Sequence, residues 1–444
     1  MKKVVRFIAQ CIDSDSGDII EEAIMNEESL SKAETLKMLG YTHIEQIDFL
    51  QKIQDFKIKH QIILNTINTC PACACKTKKV GVFKSKFHAV LTDHRVGVQR
   101  THCNCGWYSP TSVEGLFGSN IHPDLLKKQA LQGSKESYEK SSIALNAESA
   151  NQRPVNGHSQ ISRVVKLVGE KLEQVKVAIK PINKKSSLPE LIANIDGGHI
   201  KARGDNRSFE AMIATVYKPE KLKRVDKNHN ALEAKTIIAS AKSDEQMTMK
   251  VLFKNACITE GMGKSTEVIC LADGADNCKA IAYSIIEDCK SVTYILDWFH
   301  IAMKFQNISI PDIGKELLQS TKWNLWRGNC DKALERLKEL MEIETIGEDK
   351  PLSVKLSKLS KYILNNKDGI VNYEERKTKG LVFTSNLAES TVNTLINERQ
   401  KGKQKMLWSR EGAHNVLQIR AALRSESWHK DWKSVEDMVY KLVA

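Results

Sequence analysis

The sequence of 444 residues is long enough for two to four domains, and its 41% of hydrophobic residues is ordinary for a globular protein. It contains no run of about eighteen apolar residues, and its start lacks the apolar run and cleavage site of a secretory signal. We therefore expect a cytoplasmic protein with no membrane partner. The 67 Lys and Arg residues against 54 acidic ones give a net charge of +13, which suits a nucleic-acid partner, although a merely basic protein fits as well.

The N-terminal region, residues 1–65, shows no evident chemistry. Residues 1–24 alternate apolar and polar side chains around an acidic turn at 13–18, which predicts two strands. From Glu27 to Asn65 the apolar spacing is helical, with an interruption at Gly40. We expect a small accessory or dimerisation region here.

Residues 66–110 contain five of the eleven cysteines, and the other six are scattered singly. A local cluster favours a metal site in a reducing compartment over a disulfide scaffold. Two close cysteine pairs separated by strand-like stretches are typical of a zinc ribbon. The predicted ligands of a structural Zn²⁺ ion are Cys70, Cys73, Cys103 and Cys105. The second pair is one residue shorter than the usual spacing, so Cys75 or His102 is an alternative ligand, and ordinary thiols are the alternative interpretation.

Residues 122–176 have helical apolar spacing. A helix at 137–145 and a second at 159–168, capped by Ser159, flank a break at 151–157 and predict a helix-turn-helix. Arg163 and Lys166 on the second helix are the predicted DNA-binding residues. Because the connecting turn is long for this motif, a plain helical hairpin is the alternative.

After a Lys-, Ser- and Pro-rich linker at 177–189, the pattern changes to strands. The strand-like runs are 190–196, 209–217, 234–241, 248–258, 266–273 and 291–297. The helix-like stretch 277–289 between the last two runs predicts a parallel strand pair with a crossover helix. Residues 301–380 then return to helical spacing.

Three of these apolar runs end in an aspartate, namely Asp196, Asp273 and Asp297. Carboxylates at the ends of buried strands are rigidly placed and can bind Mg²⁺, which prefers oxygen ligands. Any one such aspartate is more often a turn residue. Their recurrence on three strands favours a metal site.

A later stretch, residues 384–405, reads as a helix that begins near Asn386 and carries Glu389. Asn386 followed three residues later by Glu389 also resembles a capping box, and taken alone the cap is the better interpretation. The basic residues that follow are predicted to contact DNA phosphates, although a solvated charged face is the alternative. They are Arg399, Lys401, Lys403 and Lys405.

Together these motifs resemble the DDE transposases of bacterial insertion sequences, in particular the Mutator-like group and its relatives. The resemblance spans residues 66–425 and rests on Asp196-Gly197-Gly198, Ala272-Asp273-Gly274, the segment from Asp297 to His300, the segment from Asn386 to Ser390, and the Trp, Gly-Ala, Leu and Arg pattern over 406–423. It implies an RNase H-like core in which Asp196, Asp273 and Glu389 hold two Mg²⁺ or Mn²⁺ ions, with Asp196 bridging them.

The resemblance also implies metal-dependent DNA strand cleavage and strand transfer at the terminal repeats of an element. Asp297 and His300 match an accessory acidic/His pair that positions the site or the substrate. The partners would be the terminal repeats and target DNA, with the protein as a homo-oligomer on DNA.

We therefore expect an α+β multidomain protein. Its regions would be an N-terminal accessory region (1–65), a zinc ribbon (66–110), a helix-turn-helix region (122–176), an RNase H-like catalytic core (190–425) with a helical insertion (301–380), and a C-terminal helix (426–444). The alternative functions are a domesticated, non-catalytic DNA-binding regulator and an RNase H-like nuclease that cuts without strand transfer.

Overall fold

The structure, a computed structural model, describes residues 3–149, 152–178, 188–204, 207–224, 230–384, 391–401 and 406–440. The chain is α+β and divides into two compact units, one of Met1–Val168 with Trp432–Ala444 and one of Gly169–Asp431. The first two predicted regions thus fall into the first unit. The third, 122–176, lies mostly in it, with 169–176 in the second unit, and the predicted C-terminal region is divided between both. Among the described helices, none combines the length and apolar character needed to cross a membrane.

The first unit consists of two antiparallel hairpins followed by helices. Its elements are β1 (Lys3–Ile12), β2 (Ile19–Leu30), α1 (His43–Leu64), β3 (Lys78–His88), β4 (Asp93–His102), α2 (Val113–Phe117), α3 (Pro123–Lys135), α4 (Tyr138–Ala147) and α5 (His158–Val177), within which the boundary of the unit falls. Both predicted strand pairs are present, as β1 with β2 and β3 with β4.

The predicted helix from Glu27 is wrong in its first part. β2 continues to Leu30 because Glu27 and Glu28 pair with β1 in the hairpin ladder. Helix α1 begins only after Thr42, where a capping box forms: the Glu45 carboxylate accepts from the Thr42 N–H at 2.7 Å, and the Glu45 N–H donates to the Thr42 hydroxyl. Cross-strand pairing therefore overrode the local helical spacing.

The predicted helices of 122–176 are present as α3, α4 and α5. Gly133 of α3 permits close packing, since a Cβ there would lie 2.7 Å from the Val165 side chain of α5. Helix α5 begins at His158, so Ser159 lies in its first turn rather than at the cap, and it continues to Val177, into the predicted linker. Residues 179–187 of that linker lie outside the described residues.

The second unit has a sheet covered by helices. Its elements are β5 (Glu190–Lys201), β6 (Ser208–Tyr217), β7 (Leu222–Arg224), β8 (Asn230–Leu232), β9 (Thr236–Ser240), α6 (Met247–Glu260), β10 (Glu267–Ala272), α7 (Asp276–Ala282), β11 (Ser291–Leu296), α8 (Trp298–Gln306), α9 (Asp312–Trp326), α10 (Cys330–Glu342), α11 (Glu344–Gly347), α12 (Lys350–Asn365), α13 (Tyr373–Thr378), a π-helical turn (Asn393–Asn397) continued by α14 (Glu398–Gln400), α15 (Arg410–Leu423) and α16 (Trp428–Val439), which extends past the end of the unit.

The sheet is mixed, with the strand order β11-β10-β5-β6-β9. Strands β5, β6 and β9 form an antiparallel meander. Strands β10 and β11 run parallel to β5, and the chain reaches β10 through α6 and β11 through α7. The predicted parallel pair with a crossover helix is therefore confirmed, and the segment 301–380 is helical as predicted.

Alternate residues of the central strands bury opposite faces of this sheet. Leu191 of β5 and Val268 of β10 pack in a core cluster with α6 and α7. Ile192 and Ile269, one residue further along each strand, pack in a second cluster with α8, α9, α10 and α12. Both faces are covered by helices, which explains why these strands read as continuous apolar runs.

One predicted strand, 248–258, is wrong, because this stretch lies in helix α6. Met249, Leu252, Phe253, Ala256 and Cys257 are buried at the helical spacing of three and four residues. A short apolar run does not by itself distinguish the period of a strand from that of a helix. Here the stretch is a helix that packs on one face of the sheet.

Candidate functional site

The three aspartates belong to three neighbouring parallel strands, with Asp196 inside β5 and Asp273 and Asp297 directly after the last residues of β10 and β11. The predicted end of the first strand at Asp196 is wrong, because β5 continues to Lys201 in its pairing with β6. The register pairs Leu271 of β10 with Asn194 of β5, so two residues further on Asp273 stands level with Asp196. It also pairs Ala272 with Leu296, so Asp273 stands level with Asp297 as well. Neighbouring strands are about 4.8 Å apart. Three carboxylates from positions 77 and 24 residues apart in sequence are thereby gathered at one end of the sheet.

The side chains of these aspartates belong to the sheet face that carries the helical segment. Asp196 follows Ile192 by four residues and Asp273 follows Ile269 by four, and both isoleucines pack with α8–α12. Successive side chains of a strand alternate between faces, so residues four apart share one face. The carboxylates therefore lie on a common face of the sheet.

The electrostatics of Asp196 reflect this crowding. Burial raises the pKa of the Asp196 carboxyl to about 6, and the charges of Asp273 and Asp297 raise it too, against the lowering influence of His300 and of the Gly197 N–H. The Gly197 N–H donates to the Asp196 carboxylate at 2.7 Å. Like charges gathered in a partly buried position are costly without a cation, so the donor set suits a divalent metal with oxygen ligands.

Asp297 and His300 form a hydrogen-bonded pair beside the other two aspartates. Asp297 is fully buried and caps helix α8, with its carboxylate accepting from the Phe299 N–H at 3.2 Å. Its other oxygen lies 2.7 Å from Nδ1 of His300. Burial lowers the pKa of His300, but Asp297 and the charges of Asp196 and Asp273 outweigh it and raise that pKa above its usual value.

The backbone around Asp273 is held by residues that the sequence did not point to. The Tyr362 hydroxyl of α12 donates to the Asp273 carbonyl at 2.8 Å, and the Gly274 N–H donates to the Tyr294 hydroxyl at 3.1 Å. Gly274 has φ +90°, and a Cβ there would lie 2.5 Å from the Asn366 side chain. Only glycine fits this turn. No sequence pattern marks Tyr362, because its role depends on how the helical segment packs.

Glu389 lies outside the described residues, and so does Asn386. The structure describes the helical residues 391–400 that follow Glu389. In this stretch, Val392 and Ile396 lie over Gly198 of β5. A Cβ on Gly198 would be 2.5 Å from Ile396 Cδ1 and 3.5 Å from Val392 Cγ1. Gly198 is two residues beyond Asp196 and on the same face of the strand.

The predicted phosphate-contacting residues are placed differently from one another. Arg399 is buried, with 3% of its surface exposed, and its guanidinium lies 4.8 Å from the centroid of the Trp408 ring. The Trp408 ring and the surrounding helices therefore enclose Arg399, and the phosphate contact predicted for it stays a prediction. Lys401 is exposed, and Lys403 and Lys405 lie outside the described residues.

The four predicted cysteines converge in the first unit. The sulfur atoms of Cys70, Cys73, Cys103 and Cys105 all lie within 4.8 Å of one another. The Cys70–Cys105 distance is 3.6 Å and the Cys73–Cys103 distance is 3.4 Å. Sulfur atoms at about 2.3 Å from a tetrahedral zinc ion would be roughly 3.8 Å apart, so this cluster could hold such a metal. Among the described residues, the aspartates form no group as tight as this one.

Each cysteine pair lies in a turn stabilised by backbone hydrogen bonds. The Ala74 N–H donates to the Cys70 carbonyl, and the Gly106 N–H donates to the Cys103 carbonyl, both at 2.9 Å. Gly106 has φ +92°, which explains the glycine after the second pair. The Cys75 carbonyl accepts from the Cys70 N–H, and the His102 ring stacks on Tyr108. Neither alternative ligand belongs to the sulfur cluster.

The predicted DNA-binding residues Arg163 and Lys166 are both exposed on α5. The Arg163 guanidinium donates to the Gln160 amide oxygen one turn earlier, at 3.1 Å. The opposite side of this part of the helix is buried through Ile161, Val164, Val165 and Val168. The exposed side is therefore polar and basic.

Comparison with known protein families finds no family model that matches this chain, and a search of curated proteins finds no match either.

Proposed function

We propose that the protein is a DNA transposase whose catalytic centre is formed by Asp196, Asp273 and Glu389. The observation that carries the proposal is the level placement of Asp196, Asp273 and Asp297 on three adjacent parallel strands. A cluster of like charges on one sheet face is costly to the fold unless a cation is bound. Such a cluster indicates a function that needs it.

The sheet supports an RNase H-like core. Its first three strands form an antiparallel meander, and the next two run parallel to the first on its other side, after a helix on one face. This is the arrangement expected of an RNase H-like fold, in which the central first strand supplies an acidic residue. Asp196 lies on β5, the central strand of the five.

The position of Gly198 supports Glu389 as the third acidic ligand. Val392 packs over Gly198, which is two residues from Asp196. Glu389 is three residues before Val392, and three residues of chain span at most roughly 11 Å. The described chain just after Glu389 therefore reaches the acidic face of the sheet, and this supports Glu389 as the third acidic ligand.

Two divalent ions held by these carboxylates would activate a water molecule and stabilise the leaving oxygen of a phosphodiester. The chain itself supplies the rest of the centre. The hydrogen bond from Tyr362 fixes the backbone at Asp273, and Asp297 orients the His300 ring toward the charges of Asp196 and Asp273. His300 therefore positions substrate or proton beside the two aspartates.

We further propose that the four-cysteine cluster is a structural zinc ribbon and that α5 is a DNA-recognition helix. The two cysteine turns close the β3–β4 hairpin, and four protein ligands leave no open position for chemistry. Arg163 and Lys166 on the exposed side of α5 would contact the major groove, and the exposed Lys401 would contact phosphate.

A cleavage and joining assay tests the function. The substrate is DNA from the ends of the element that encodes the protein, with and without Mg²⁺. We expect cleaved ends joined to target DNA, lost in Asp196→Asn and in Glu389→Gln. Glu267→Gln is the matched control, because Glu267 begins β10 at the opposite end of the strand from Asp273.

The products separate the alternative functions. Specific DNA binding without cleavage by the wild-type protein would favour a regulator. Cleavage without joined products would favour a nuclease. Cleavage that persists in Asp196→Asn or Glu389→Gln would refute the assignment of the catalytic residues.

A further inference from the structure

A cleft lined by tryptophan side chains opens on the helical segment of the second unit. Its volume is about 650 Å³, and Trp298, Trp323 and Trp326 line it together with Lys322 and Lys377. Cavities of this size hold ligands as large as a nucleotide. Its lining includes none of Asp196, Asp273, Asp297 and His300.

Two of the tryptophans form a rigid wall. The Trp298 and Trp326 rings lie 4.7 Å apart at an interplanar angle of 65°, and Trp326 also stacks on Tyr373 at 5.9 Å. The backbone N–H of Trp298 donates to the Phe383 carbonyl, and this hydrogen bond holds the start of α8. Side chains packed in this way lose little further freedom when a ligand binds.

The third tryptophan, Trp323, is largely exposed, so its ring adds little to the stability of the fold. Trp323 lies one turn before Trp326 on α9 and keeps 46% of its surface accessible. An aromatic ring of this size stabilises a fold mainly when it is buried. An accessible ring beside a rigid aromatic wall is the arrangement that stacks a flat ligand.

The charges of the cleft favour an anionic ligand. The Lys377 ammonium lies 5.8 Å above the Trp326 ring, and Lys322 precedes Trp323 on α9. The acidic residue of the lining, Glu374, lies 3.4 Å from the Arg327 guanidinium. The lining therefore combines aromatic faces with a net positive charge, as single-stranded nucleic-acid sites do.

We propose that this cleft holds an unstacked base of a DNA strand, with Lys322 and Lys377 on the adjacent phosphates. The inference rests on the proposed function and names how that site holds its substrate. Trp298 directly follows Asp297 in sequence, so the wall of the cleft and the acidic cluster share one strand-to-helix junction. The cleft is thus connected to the acidic cluster through two residues that are adjacent in the chain.

Binding of a fluorescently labelled ten-residue oligo-dT, followed by anisotropy in EDTA, tests the inference without cleavage. Loss of one stacked base reduces affinity roughly 5- to 150-fold, so we expect Trp323→Ala to weaken binding in that range and Trp323→Phe to retain most of it. Tyr283→Ala is the matched control, because Tyr283 is an aromatic residue of the same unit with the same 46% exposure. An oligonucleotide of the same length without bases should bind the wild type as weakly as oligo-dT binds Trp323→Ala.

The inference is overturned if Trp323→Ala binds oligo-dT like the wild type, if Tyr283→Ala loses as much affinity, or if removing the bases changes nothing. This result is independent of the cleavage assay. If the protein binds the bases but does not cleave DNA, the base-binding role of the cleft is supported and the transposase function is rejected. If the protein cleaves DNA but binds it independently of the bases, the transposase function is supported and the role of the cleft is rejected.

Discussion

Replacing Asp196 by Asn should stabilise the metal-free protein at neutral pH. The Asp196 carboxyl has its pKa raised to about 6 from an ordinary value of 3.8, chiefly by burial and also by the charges of Asp273 and Asp297. The folded state therefore favours the protonated form. Asparagine keeps the size of the side chain and an oxygen that can accept from the Gly197 N–H, but it carries no charge.

The magnitude follows from the shift. A rise of about two pKa units corresponds to roughly 3 kcal/mol of unfolding free energy at pH values above the folded pKa. Because the native state binds the extra proton, stability falls as pH rises from about 4 to about 6. The gain in Asp196→Asn should therefore be absent near pH 4 and complete near pH 7.5. For a unit of this size, it corresponds to a rise in Tm of roughly 6–12 °C.

The assay is thermal unfolding in EDTA at a series of pH values, repeated with added Mg²⁺ at pH 7.5. Mg²⁺ should raise the Tm of the wild type and have little effect on Asp196→Asn, because a cation stabilises the folded state only where the carboxylates bind it. Asp288→Asn is the control, since Asp288 forms a solvent-accessible ion pair with Lys254 at 2.8 Å and should change stability little. A variant no more stable than the wild type at pH 7.5, or a gap that is the same at pH 4, would refute the reasoning.

Two further predictions concern the first unit. Cys105→Ser should lower the zinc content below the one ion per chain expected of the wild type, whereas the neighbouring Cys75→Ser should leave it unchanged; elemental analysis of purified protein decides, and equal zinc loss in both variants would contradict the ligand set. Arg153→Lys should reduce the free energy of unfolding by about 3–5 kcal/mol in urea titrations, because the buried Arg153 guanidinium donates to Asp93 and to three backbone carbonyls, a fork that lysine cannot reproduce; a loss under about 1 kcal/mol would contradict it.

The cysteine cluster and the acidic strand ends show how far the sequence alone reaches. Cys70 and Cys73 form a turn, and so do Cys103 and Cys105, so local spacing already placed each pair correctly. The pairing of β3 with β4 in one hairpin then brings the two cysteine pairs together, because one pair precedes β3 and the other follows β4. Short-range patterns of this kind are decided by turn chemistry, which is written in a few neighbouring residues.

Other placements could not be read in this way. The run 248–258 fits both periods, because Met249, Val251 and Phe253 alternate as in a strand while the buried residues follow the helical spacing. Arg399 looked like a solvated cation, although Trp408 and the surrounding helices enclose it. Trp323 and Trp326 lie in the segment 301–380 that was predicted to be helical, but nothing local indicated that Trp298 would meet them across a cleft. These features arise from contacts between residues distant along the chain.

The sequence by itself determined which aspartates follow buried apolar runs, because such runs are local patterns. Asp273 and Asp297 directly follow a strand, whereas β5 continues past Asp196 to Lys201. Asp196, Asp273, Asp297 and the two cysteine pairs could therefore be identified as candidate metal ligands from the sequence alone. Only the tertiary structure decided that β10 lies between β5 and β11, and hence that the three carboxylates stand level on one face. Strand order depends on which helices cover which sheet face, and that is settled by the packing of the whole unit rather than by any segment of it.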